Sequence, residues 1–334
     1  MSAPAQKSST QKLTPNFRKH LADHKAIAER RANSEESVAK LRARLAKEEG
    51  LVGRPLSIFA AGSLGRLDAG KKSDLDLFVL ADTANDISRL LEFEIFSTLI
   101  QVNRELAFPS FSNDGQYLKI YDVDEMRRVT GTPRDDHENL FTARMLLLLE
   151  SRPICNDHVY AEHLEKIGSN YFRDARGKSS FRPLFLLNDL LRYWRTLCLN
   201  YEEIRLKARP WRKKNVNLKF SRMLTVFATV LAIVSGLVSS SEALRELASL
   251  TPLERLASAL DHMGVAQLMT EFERFLDNYE TFLSIKDNAG TELILADPGI
   301  QGDIRRSAEA FSRFLYKTLT HPKIKPEYQR YLVI

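Results

Sequence analysis

Ser57-Ile-Phe-Ala-Ala-Gly62-Ser63-Leu-Gly65-Arg66-Leu-Asp-Ala-Gly-Lys-Lys-Ser-Asp74-Leu-Asp76-Leu-Phe-Val-Leu80 reads as an apolar strand, a small-residue turn opening a helix, a polar loop and a second apolar strand carrying two carboxylates. Side chains alternate along a strand, so Asp74 and Asp76 share a face about 7 Å apart. Leu75, Leu77 and Val79 take the opposite face, while Phe78 and Leu80 continue the carboxylate face towards a core. Two like charges side by side are unfavourable without a cation between them. A hard divalent ion, Mg²⁺ (or Mn²⁺), would take both carboxylates and fill its shell with water and substrate phosphates. Gly62 and Gly65 lack Cβ atoms and leave room for a phosphate near the backbone, and Ser63 adds a hydroxyl donor. The pattern therefore outlines a metal-assisted phosphoryl or nucleotidyl transfer site with a nucleoside triphosphate as substrate.

Gly-Ser, a gap of ten, then Asp-x-Asp between apolar residues resembles the nucleotidyltransferase superfamily of DNA polymerase β. The longer form, Gly62-Ser63-Leu-Gly65-Arg66 through Ser73-Asp74-Leu-Asp76-Leu, is most similar to bacterial PII uridylyltransferase-like nucleotidyltransferase domains. Phe141-Thr-Ala-Arg-Met-Leu-Leu-Leu-Leu-Glu-Ser-Arg-Pro-Ile-Cys155 is similar to the helix that follows the catalytic core in those proteins, so the likeness covers roughly residues 55–160. It implies Asp74 and Asp76 as metal ligands and a third carboxylate on a later strand. Asp122, in Tyr121-Asp122-Val123, fits that place, with Asp114 and Asp124 as competitors. It also implies a helical partner domain that supplies cations to the phosphates and closes one side of a cleft.

The chain has 334 residues, enough for one large or two ordinary domains, and its 44% apolar content suffices to build cores. Two cysteines, Cys155 and Cys198, exclude a disulfide framework and a thiolate zinc cluster. The start, Met1-Ser-Ala-Pro-Ala-Gln, has no apolar signal core. The apolar run Met223–Val238 is shorter than the ~20 residues that span a bilayer, so a buried helix and a cytoplasmic protein are expected, with no membrane partner. Net charge is +6, but thirteen Lys/Arg against three acids between Arg176 and Arg222 put +10 in that segment and leave −4 elsewhere. Such a concentration suits a polyanion.

The fold class expected is α+β: a nucleotidyltransferase domain with a small mixed sheet flanked by helices, then an all-helical domain. Residues 1–50 read as a disordered start and a charged helical arm on the outside. Residues 51–175 form the catalytic domain, with strands at 56–61, 74–81 and 117–123 and helices at 86–106 and from Asp135 or Asp136 to Ser151. Residues 176–334 carry helices at 182–205, 217–238, 241–248, 252–261, 264–284 and 303–320 after a linker near Gly177, and no strand is expected beyond 125. Arg66 reaches a phosphate or braces the site through Asp68 or Asp74. Lys214, Lys219 and Arg222 are the nucleotide-binding candidates, Lys219 and Arg222 sharing a helix face. Lys71 and Lys72 read as solvated loop charges. The function these readings support is NMP transfer from an NTP to a protein or RNA acceptor with pyrophosphate release. The alternative is an inactive nucleotide- or RNA-binding regulator on the same fold.

Overall fold

The computed structural model describes residues 17–332 except 18, 19, 22, 71–72, 84–86, 112–114, 116, 176–177, 179–180, 208–209 and 287–289. The expected disordered start, Lys71, Lys72, Asp114 and most of the linker near Gly177 lie outside those residues. A four-stranded sheet has the order β3-β2-β1-β4, with β1 (Leu56–Ala61), β2 (Asp76–Ala81), β3 (Ile120–Asp122) and β4 (Arg152–Cys155). β1 pairs antiparallel with β2 and with β4, while β2 and β3 are parallel, so the sheet is mixed. The protein is α+β, with a helical region following the sheet.

The alternation within β1 and β2 separates two cores. Phe59, Ala61, Phe78 and Leu80 face one, and Ile58, Ala60, Leu77 and Val79 face the other. The second is covered by α1 (Lys25–Leu45) and by α3 (Arg89–Glu105), with Leu64 of α2, the single turn Gly62–Gly65, packed among them. The first is continuous with the helical region. It runs from the sheet through α6 (Leu140–Glu150) to the phenylalanines Phe220, Phe275, Phe282 and Phe311, of which Phe275 and Phe311 stack at 4.0 Å. Between β3 and α6 lie α4 (Val123–Arg128) and α5 (Pro133–His137); α7 (Asp157–Ser169) follows β4.

From there the chain is helical: α8 (Leu184–Leu206), α9 (Arg212–Val234), α10 (Ser241–Ala248), α11 (Pro252–Met263), α12 (Ala266–Lys286), α13 (Thr291–Ile294), α14 (Pro298–Leu319) and α15 (Pro326–Arg330). Local signals set several boundaries. Thr251 and Glu254 close a capping box ahead of α11, Pro252 fills its first turn, and Gly264 ends it in the left-handed conformation. α9 is long and apolar enough to cross a bilayer, but two thirds of its most apolar stretch is buried inside the protein, as a core helix would be.

Several expectations are corrected. β4 lies beyond residue 125. Its short Arg-Pro-Ile-Cys sequence carries no alternation, and only pairing with β1 makes it a strand. Asp135 does not cap a helix: it is buried and holds Arg144. α6 starts after Asn139, whose φ of 57° is left-handed. The N-terminal arm is no outrider. Phe17 and Ile27 belong to the first core, and buried Arg30 donates to the carbonyls of Asp68 (2.8 Å) and Leu283 (2.6 Å), joining the sheet's turn to α12.

Gly65 has a packing role rather than the phosphate-approach role the sequence suggests. A Cβ there would stand 1.8 Å from the carbonyl oxygen of Glu150 and 3.0 Å from that of Ala60. Both are backbone atoms and cannot swing aside. Gly65→Ala is therefore expected to cost about 2–3 kcal/mol, read as a lowered denaturation midpoint, whereas Gly50→Ala, with open space around it, should be near neutral.

Candidate functional site

The site grows from the register of the central strands. Ala61, the last residue of β1, pairs with Asp76, the first of β2. The chain then turns at Gly62 with φ +65°, a conformation L side chains adopt rarely. A Cβ on Gly62 would lie 2.6 Å from Asp76 Oδ2, so the glycine exists to admit that carboxylate against the backbone. Asp76 shares its strand face with Phe78 and Leu80, as the alternation requires. Asp74 precedes the strand and is exposed, and Ser63 is half-buried in the turn.

Behind the pair lies a buried ion cluster. Glu150, at the end of α6, is inaccessible to solvent. One of its oxygens accepts from Arg66 and the other from Arg222. Arg66 also grips Asp68 with Nε (3.1 Å) and Nη2 (3.2 Å). Asp68 accepts from the Tyr279 hydroxyl at 2.7 Å and lies 3.7 Å from Lys286 Nζ, both on α12. Burial would raise the Glu150 carboxyl, but the Arg222 and Arg66 guanidinium groups outweigh it and hold it low. Burial pushes the Lys286 ammonium down to about 8 against the pull of Asp68.

Asp76 is left on the wrong side of this balance. Burial, and after it the Asp74 carboxylate, push its carboxyl up to about 6. Arg222 is the cation acting most strongly against that rise. Tyr117, whose ring lies 5.8 Å from that of Phe78, flanks Asp76, and burial and then the Asp76 charge raise its phenol. Two carboxylates beside a glycine backbone are the kind of oxygen donors a hard cation takes together with substrate phosphates.

The expected site residues fare differently. Gly62, Ser63 and Asp76 come together at the β1–β2 register, with Asp74 next to them, and Arg222 reaches the cluster from α9. Arg66 takes the bracing role, its guanidinium committed to Asp68 and Glu150. Asp122 does not join the pair. β3 runs parallel to β2 and pairs Asp122 with Ala81, five residues past Asp76, roughly 17 Å at ~3.3 Å per residue. Its carboxylate instead accepts from Glu125 N at 2.7 Å and caps α4. Asp124, in α4, lies beyond that same strand end. Tyr117, in the turn ahead of β3, is instead the group near enough for its phenol to feel the Asp76 charge. Among the described residues no group of three His, Cys, Asp or Glu is placed to hold a metal together.

On α9, Lys214 is exposed and Lys219 half-buried. Residues 218–222 form a π turn, in which three residues advance less of a full circle than in an α-helix, so Lys219 and Arg222 diverge rather than share a face. The +10 segment is not one open basic surface either. Arg192 pairs with Asp136 at 2.6 Å, Arg205 with Glu202, Lys207 with Glu203 and Arg222 with Glu150. Sequence reading missed Glu150, Tyr117, Tyr279 and Lys286. Glu150 had a signal, a lone charge closing the run Met-Leu-Leu-Leu-Leu; the others had none. A scan of protein-family models finds no match to this chain, and a search of curated proteins finds none.

The raised Asp76 carboxyl has a consequence for stability. Its value of about 6 lies above the ordinary 3.8, so the folded protein holds this proton more tightly than the unfolded chain. Ionising Asp76 thus opposes folding: the penalty is absent below about pH 4 and complete above about pH 6, at about 3 kcal/mol. Asp76→Asn is expected to be more stable than wild type at pH ~7.5 and no more stable at pH ~4 in urea titrations. Mg²⁺ should raise the melting temperature of wild type and leave Asp76→Asn unmoved. Equal stability of the two proteins at the higher pH would show that Asp76 carries no such penalty.

Proposed function

We propose that the protein is a Mg²⁺-dependent nucleotidyltransferase. The observation that carries this reading is the Asp74–Asp76 pair: Asp76, whose carboxyl is pushed up by burial and then by the Asp74 charge, is set against the glycine turn at Gly62 and faced by Arg222 from the helical region. Asp74 and Asp76 would hold the ion, which supplies charge neutralisation of the triphosphate. Ser63 donates a hydrogen bond to a phosphate oxygen. Arg222 would meet the β- and γ-phosphates, and its pairing with Glu150 fixes its guanidinium in advance. Arg66 and Asp68 hold the turn rigid and take no part in the chemistry. An acceptor oxygen attacks the α-phosphorus, the bond to the β-phosphate bridging oxygen breaks, and pyrophosphate leaves with that electron pair.

A second reading, a nucleotide-binding regulator without transfer, is favoured by one observation: ahead of β3 the group close enough to feel the Asp76 charge is Tyr117, not a carboxylate. One experiment separates the two. Each labelled NTP is incubated with the protein, Mg²⁺ and cell extract, and pyrophosphate and labelled product are measured. Transfer predicts turnover that Asp74→Ala and Asp76→Asn each reduce at least ~100-fold without lowering the melting temperature. Nucleotide binding without turnover would select the regulator, and turnover that survives either change would refute the metal assignment.

A further inference from the structure

One buried side chain beside the site leaves its polar group unused. Tyr193, on α8, is 3% exposed and packs in the first core. Its ring stands edge-on to that of Phe141 on α6, 6.2 Å away at 77°. Among the described residues its hydroxyl makes no hydrogen bond. A polar group so enclosed nearly always has a partner in a folded protein, so an orphan calls for a reason. The surroundings supply one. α8 packs on α6 and on the π turn at 218–222. Burial raises the Tyr193 phenol well above its ordinary range, so the group stays a proton donor. After burial, the charges acting most on it are those of Arg222 and then Glu150, followed by Arg66 and Tyr117. The two arginines are donors only and offer it no acceptor. Glu150 could, but its two oxygens are taken by Arg66 and Arg222. Tyr193 is thus a donor without an acceptor, next to the cation that faces Asp76.

We infer that the Tyr193 hydroxyl is a contact for the substrate's phosphate chain, donating to a phosphate oxygen beside Arg222. The inference deepens the transferase reading above and rests on it. Arg222 leaves 30% of its side chain open to solvent, which gives an anion access to it. An oxygen bound there brings an acceptor to the place where Tyr193 lacks one, and a bond to an ionised oxygen is the stronger for its charge. Tyr117 ties this corner to the carboxylate pair: after burial, its phenol feels Asp76 and then Arg222. The division of labour follows from the two side chains. Arg222 supplies charge. Tyr193, neutral and held by its packing on Phe141, supplies direction. It neither gives up nor takes a proton.

The test compares wild type with Tyr193→Phe, which deletes the oxygen and keeps the ring against Phe141. Without ligand the variant should be at least as stable as wild type, because it loses no hydrogen bond within the protein. A melting temperature lowered by more than ~2 °C would show the hydroxyl engaged inside the protein and overturn the inference. Two kinds of probe are then titrated with Mg²⁺: each NTP, and inorganic tripolyphosphate, which has the phosphate chain and no nucleoside. Tyr193→Phe should weaken NTP and tripolyphosphate alike, at least ~10-fold. Unchanged affinity for both sinks the inference, and so does a loss confined to one of them. Confined to NTP, the loss would move the contact to the sugar or base. Tripolyphosphate that fails to bind a wild type which binds NTP overturns it as well. Wild type that binds neither probe would instead remove the transferase reading and the inference with it, so the two failures are distinct.

Discussion

Glu150 accepts a charged hydrogen bond on each oxygen, one from Arg66 behind the glycine turn and one from Arg222 on the helical wall. Glu150 and Arg66 are both buried, while Arg222 keeps part of its side chain exposed. Removing Glu150 strands Arg66 without solvent, a loss of about 3–5 kcal/mol. Everything near the carboxylate pair is referenced to this contact. Gly65 packs on the Glu150 carbonyl, Asp68 receives Arg66 and passes the tie to Tyr279 and Lys286, and Arg30 holds the Asp68 backbone from α1.

The same balance explains why the pair is charged the way it is. Glu150 and Asp68 absorb the cations Arg66 and Arg222, so little positive charge remains for Asp76. The Asp76 carboxyl rises although it is only half-buried, while those of the buried Glu150 and Asp68 fall. Neighbouring carboxylates thus divide into Glu150 and Asp68, held low by arginines, and Asp76, whose carboxyl is raised. The partner wall is fixed by packing as well as charge: Phe220, in the π turn two residues before Arg222, stacks on Phe282 of α12 at 5.0 Å.

Much of this was legible beforehand, for local reasons. Period-two alternation assigns Asp76, Phe78 and Leu80 to one face and Leu75, Leu77 and Val79 to the other, and the two cores follow that division. Apolar periodicity and caps placed the helices of the C-terminal region to within a few residues, with α10 at the expected 241–248. Where the reading went astray, the deciding contact was distant. β4 needs β1, Asp135 needs Arg144, and the charged arm needs Asp68 and Leu283 to turn Arg30 inward. Asp122 fitted an apolar–Asp–apolar pattern, but that pattern says nothing about strand direction or register.

By itself the sequence determined the chemistry available: two carboxylates two residues apart at the entry to a strand, a glycine that leaves room beside Asp76, and a helical region rich in cations. Those are properties of neighbours in the chain, set by side-chain alternation and backbone freedom. Tertiary structure decided which charges remain available. Arg66 is consumed by Asp68 and Glu150, Arg222 is brought in over seventy residues from Glu150, and parallel pairing carries Asp122 to the far end of the sheet. Charge is a sum over everything within a few ångströms, and only the folded chain fixes what those neighbours are.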